Sequence, residues 1–139
     1  MKKKMIGIFA LAMIALGPLV YAEPTPEALR DTIRNYVANE EKAKGAFEIM
    51  DERTGSLRQL EFVRVHERVG KTGNYYYSCT DMKDVKTGDL LDLDFDIQDE
   101  GGNLTVADIR IHKDNGDPRY TYDDQDNRVP VVVSHLKPT

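Results

Sequence analysis

Between Leu90 and Gln98 the chain alternates strictly: Leu91, Leu93, Phe95 and Ile97 are separated by Asp92, Asp94 and Asp96. A period of two puts the apolar side chains on one face of a strand and the carboxylates on the other. The segment is therefore one strand of a sheet with a single covered face. A turn at Gly101-Gly102 offers the next strand as its antiparallel partner. Pairing Leu91, Leu93, Phe95 and Ile97 with Ile111, Ile109, Ala107 and Thr105 sets Asp92 opposite Arg110 and Asp94 opposite Asp108. A slip of two residues sets Asp92 opposite His112 and Asp94 opposite Arg110 instead. The apolar faces agree in both registers.

The same periodicity recurs upstream. Turn signals at Thr54-Gly55, Lys71 to Asn74, Lys86 to Asp89, Gly101 to Asn103 and Asn115-Gly116 divide the chain into strands expected over 46–53, 57–69, 75–84, 90–98 and 104–113. Leu60 and Phe62 differ in parity from Val63 and Val65, which predicts a bulge near Phe62-Val63. A further hairpin is expected between Tyr120 and Val133. Before the strands, Thr25-Pro26 reads as a helix start, with Thr as cap and Pro at the first helical position. Leu29, Ile33, Tyr36 and Val37 form one apolar stripe on a helix that runs to Lys44 and stops at Gly45. The fold class is thus α+β: one N-terminal helix packed on a curved sheet of four to five antiparallel strands.

That order, a helix and then a meander, resembles the cystatin-like architecture, which includes many small exported bacterial domains. The Q-x-V-x-G segment of cystatin inhibitors has no counterpart, the nearest text being His66-Glu67-Arg68-Val69-Gly70. The resemblance implies a fold and does not extend to protease inhibition.

Lys2, Lys3 and Lys4, the apolar run from Met5 to Leu16, the helix break at Gly17-Pro18 and the small residues of Val20-Tyr21-Ala22 read as a cleaved signal peptide over 1–22. Its alternative is a retained membrane anchor. The expected domain is then 23–139, with a weakly structured hairpin or tail over 118–139, and the expected location is periplasmic or secreted. Without residues 1–22, which hold three of the 19 basic residues, 117 residues remain with a net charge of −8. Nucleic acid and anionic lipid are poor partners for such a chain, because phosphate binding needs clustered Lys and Arg. No further long apolar stretch follows.

The aspartate ladder invites a calcium reading. Alternate strand residues lie about 6.7 Å apart, however, so a single ion reaches at most two neighbours. Their mutual repulsion in water is only about 0.6 kcal/mol per pair, so a solvated acidic face needs no ion. With Arg110 and His112, the residues Asp92, Asp94 and Asp96 form a mixed charged surface for a protein or small ligand. Weaker metal candidates are Asp114 and Asp117 around Asn115-Gly116, and Asp124 and Asp126 in the following Asp-rich loop. His66, His112 and His135 have no zinc-motif spacing. Cys79, the single cysteine, has no base beside it in sequence and excludes an intrachain disulfide. It is expected to be buried and inert, or to bridge two chains as a dimer. No cofactor motif is present. The function expected is a non-enzymatic exported binding or accessory domain. The alternatives are a calcium-binding extracellular module and a small exported enzyme with a site between helix and sheet.

Overall fold

The computed structural model describes residues 12, 14–18 and 20–131. Lys2 to Lys4, most of the apolar run of the expected signal, and Val133 and His135 lie outside the described residues. No helix among the described residues is long and apolar enough to cross a membrane.

Helix α1 spans Pro26–Lys44. Thr25 caps it, its hydroxyl accepting from the Ala28 amide at 3.1 Å, and Gly45 ends it with φ of 84°. Among the described residues eight strands follow: β1 (Phe47–Asp51), β2 (Ser56–Thr72), β3 (Tyr75–Asp84), β4 (Leu90–Glu100), β5 (Asn103–Asp114), β6 (Asp117–Pro118), β7 (Tyr120–Tyr122) and β8 (Arg128–Pro130). The first six form one antiparallel sheet in chain order, and β7 and β8 form a separate hairpin. The sheet thus has one strand more than the four to five expected, and that strand, β6, is two residues long.

Leu29, Ile33 and Val37 of the helix are buried against Phe47, Leu60, Val65, Met82, Leu91, Leu93, Phe95, Ile97 and Ile111. Tyr36 packs at the margin, edge-on to both Phe47 and Phe95. Burying each helix side chain contributes about 2 kcal/mol. The exposed pairs Arg30–Glu27 and Arg34–Asp31 contribute less than about 1 kcal/mol each. The apolar stripe therefore fixes the helix to the sheet.

The middle of the β4–β5 ladder adopts the slipped register, with Asp94 opposite Arg110 and Leu93 opposite Ile111. Shifts on either side leave His112 and Ala107 as extra residues on β5. The bulge expected near Phe62-Val63 is present, and a second break lies between Val65 and Val69.

At one end of the sheet Arg58 reaches Asp84 at 2.5 Å, Asp114 at 3.0 Å, and Asp51 and Asp89 at 3.2 Å each. Arg119 grips both oxygens of Asp51 at 2.7 and 2.9 Å. Asp51 is fully buried yet supplied with donors, including the Arg53 amide. Its carboxyl is held well below the ordinary range by Arg119 first, against the opposing effect of burial. These side chains tie β1 to the β5–β6 end, and a cleft of about 280 Å³ lies alongside, lined by Ile49, Met50, Ile109 and Arg119.

Candidate functional site

The aspartate ladder is roofed at Asp94 and Asp96, not solvated there. The hairpin β7–β8 lies over it, so Asp94 is 0 % and Asp96 3 % exposed. A buried carboxylate requires donors, and the hairpin supplies them. Asp94 Oδ2 accepts from the hydroxyls of Tyr120 at 2.5 Å and Tyr122 at 2.6 Å. Asp96 accepts from Arg128 at 2.5 Å and from Arg110 at 2.9 Å. Tyr77 stacks on Tyr122 with centroids 4.6 Å apart, and His112 stacks on Tyr120 at 4.7 Å. Gly70 makes room for the first stack, because a Cβ there would meet the Tyr77 ring at 2.3 Å. Burial raises the pKa of both roof tyrosines, and Asp94 adds to it, so both remain protonated donors.

Beneath the roof, β3, β4 and β5 bring Cys79, Asp92, Asp94 and His112 together with one donor atom each, all within 4.8 Å of one another. Cys79 Sγ donates to Asp94 Oδ1 at 2.6 Å and lies 3.9 Å from His112 Nδ1. The fold thus brings an imidazole from β5 beside Cys79, a neighbour that the sequence did not reveal. Burial pushes the Cys79 thiol up, reinforced by the charge of Asp94. Without a cation, the sulfur stays a thiol and a weak nucleophile. Asp92 differs from its neighbours: its Oδ1 is buried with no hydrogen-bond partner among the described residues. Burial raises its pKa, while the nearby His66 and His112 act in the opposite sense.

Ligand spacing separates the two aspartates. In tetrahedral zinc geometry, with Zn–S about 2.3 Å and Zn–N about 2.0 Å, sulfur and nitrogen lie about 3.5 Å apart. The Cys79–His112 separation of 3.9 Å is within a small side-chain rotation of that edge. The Cys79–Asp94 distance of 2.6 Å is a hydrogen bond, about 1 Å shorter than a ligand edge. Asp94 therefore holds the thiol proton and the roof, and Asp92 is the carboxylate free to bind.

A cavity of about 190 Å³ opens over this group, lined among others by His66, Arg68, Cys79, Asp92, His112 and Tyr122. His66 Nε2 lies 2.6 Å from Asp81 Oδ1, and these two with Asp92 make a second group within 4.8 Å.

Of the residues singled out in the sequence, Asp92, Asp94 and His112 meet at this site, while Asp96 and Arg110 form the adjoining ion pair with Arg128. Asp114 is engaged instead by Arg58 and Arg119. Asp126 accepts from Arg68 and from Tyr77, and Asp117 and Asp124 are exposed. The sequence reading missed the convergence of Cys79, His66 and Asp81 with the ladder, and the roles of Tyr120, Tyr122 and Arg128. The available signal was shared strand parity once the register is known. Comparison with known proteins gave no matching family model, curated protein or solved structure.

Proposed function

We propose that this is an exported binding domain whose ligand is a divalent transition-metal ion, held by Cys79, Asp92 and His112. The observation that carries the reading is the Asp92 carboxylate: one of its oxygens lies within 4.8 Å of a thiol and an imidazole, and its Oδ1 is buried with no hydrogen-bond partner among the described residues. A cation at that point satisfies the oxygen, favours the ionised carboxylate and converts the thiol to a thiolate. One sulfur, one nitrogen and one oxygen suit an ion of borderline softness such as Zn²⁺; calcium and magnesium prefer oxygen alone. The calcium alternative is weakened further because Asp114 and Asp126 already have protein donors. The helix-then-meander order supports a cystatin-like reading of the fold, and the sequence of residues 1–22 supports export.

Thermal unfolding at neutral pH, with a non-thiol reductant and Zn²⁺, tests the reading. Free metal at a hundredfold excess over Kd stabilises by about 2.7 kcal/mol, a rise in Tm of about 10 °C for a domain of this size. Cys79→Ser and His112→Ala abolish the rise, and Ca²⁺ leaves the wild type unchanged. A wild-type Tm unmoved by Zn²⁺, Co²⁺ and Cu²⁺ overturns the proposal.

A further inference from the structure

Three ligands leave one tetrahedral position open, and the same cavity holds an imidazole that the site has not yet used. His66 is carried by an irregular stretch of β2. Pairing with β3 runs from Val65↔Thr80 directly to Val69↔Ser78, so residues 66–68 stand against Cys79 alone. The bulge is secured from the other strand: the buried Ser78 hydroxyl donates to the carbonyls of Arg68 at 2.8 Å and His66 at 3.2 Å. A bulge of this kind re-aims side chains, and here both His66 and Arg68 line the cavity with Cys79, Asp92 and His112.

The orientation of the ring is set from behind. Its Nε2 faces Asp81 Oδ1 at 2.6 Å, and Asp81 is fixed by Arg64 Nε on its other oxygen at 2.9 Å. In the tautomer that carries its proton on Nε2, the ring donates to Asp81 and offers Nδ1 as a ligand atom. Carboxylate behind imidazole is the usual support of a metal-binding histidine. The 2.6 Å separation also argues against His66 Nε2 and Asp81 Oδ1 ligating one ion side by side, since it is a hydrogen bond and shorter than a ligand edge.

Resting on the reading that Cys79, Asp92 and His112 bind a transition-metal ion, we infer that His66 is the fourth ligand, binding through Nδ1, and that Asp81 is its positioning residue. His66 approaches Asp92 from the β2 side and shares Asp92 alone with the group that Cys79 and His112 complete from β3 and β5. The interrupted pairing at 66–68 lets the ring close on the ion without disturbing the ladder on either side. Four protein ligands and no open position make a holding site. A site with three ligands and a bound water would be a catalytic one. A closed site of this kind holds its ion and leaves no position for a reacting water.

Titration of the protein with Co²⁺, followed by absorption, tests it. Wild type is expected to take up one equivalent, with a thiolate-to-cobalt charge-transfer band and the intense visible bands of four-coordinate cobalt. His66→Ala is expected to keep the charge-transfer band and to lose much of the visible intensity as water expands the coordination. Asp81→Asn is expected to weaken binding by about 10- to 100-fold with the band positions unchanged. His66→Gln, which keeps the volume of the side chain, serves if the alanine variant does not fold. His66 variants that match wild type in affinity and visible spectrum overturn the fourth-ligand assignment while leaving the Cys79 site standing. Two cobalt equivalents that fall to one in His66→Ala overturn it in favour of a two-ion centre bridged by Asp92. No charge-transfer band in wild type removes the site itself.

Discussion

Replacing Arg58 by Met separates charge from packing, because methionine keeps the apolar stem and removes the guanidinium. In the wild type the guanidinium is 11 % exposed and meets the carboxylates of Asp51 and Asp84, themselves 0 % and 3 % exposed. Breaking a buried pair from one side costs about 3–5 kcal/mol, because a charge is left without its partner. The lower end applies here. Asp51 keeps both hydrogen bonds from Arg119, and Asp84 keeps the amides of Lys86 at 2.8 Å and Thr87 at 3.0 Å. A loss of about 3 kcal/mol is expected, equivalent to about 12 °C in Tm for a domain of this size. Urea unfolding followed by circular dichroism at pH 7 measures it, with an unchanged slope establishing that stability alone has moved.

The pH dependence supplies an independent check. Burial works against ionisation of Asp84, but Arg58 and the two amides outweigh it, so the carboxyls of Asp84 and Asp51 are both held below their ordinary range. A lowered folded pKa contributes stability that is present above the unfolded carboxylate pKa of about 3.9 and is lost as pH falls below it. Arg58→Met removes part of that contribution. The gap between wild type and variant is therefore widest from about pH 5 to 7 and narrows from about pH 4 downward. A deficit under about 1 kcal/mol at pH 7, or a gap of the same size at pH 3, would refute the reasoning.

Two other expectations concern the covered face. Gly70→Ala brings a Cβ to 2.3 Å from the Tyr77 ring, and displacing that ring from its stack on Tyr122 is expected to cost about 1–3 kcal/mol. An unaltered melting curve and near-ultraviolet tyrosine spectrum would exclude the packing argument. Cys79, its thiol pushed up by burial and by Asp94, is expected to react with iodoacetamide at pH 8 far more slowly in the folded protein than in urea; equal rates would mean that the roof does not shield it.

The elements were legible in the sequence because local chemistry and burial agree along most of the chain. Thr25 and Gly45 bound α1 as their cap chemistry predicts, and β3 spans 75–84 as read. The β4–β5 register was not legible, since both pairings satisfied the apolar face. The choice between them comes with the bulges at His112 and Ala107, which no local residue pattern announces. The covering of the aspartate ladder was missed for a related reason. Alternation establishes only that the two faces differ, and Asp next to solvent looks the same as Asp under a tyrosine. The matching chemistry lay in the short segment from Tyr120 to Arg128, whose hydroxyls and guanidinium have value only once folded over β4. Likewise His66, Cys79, Asp92 and His112 share no spacing motif, because four separate strands carry them.

The seam made by Arg58 and Arg119 has a consequence for how the molecule behaves among its own copies. Among the described residues, β1 and most of β5 have no strand partner on their outer edges, and such edges template association between chains. Folded, the two edges border the same narrow cleft, among the charges of Arg53, Arg110 and Arg119, so neither presents a flat row to a neighbour. Opening the seam frees both edges in one event. The ion pairs around Asp51 thus guard solubility as well as fold, and weakening them is expected to favour aggregation alongside unfolding.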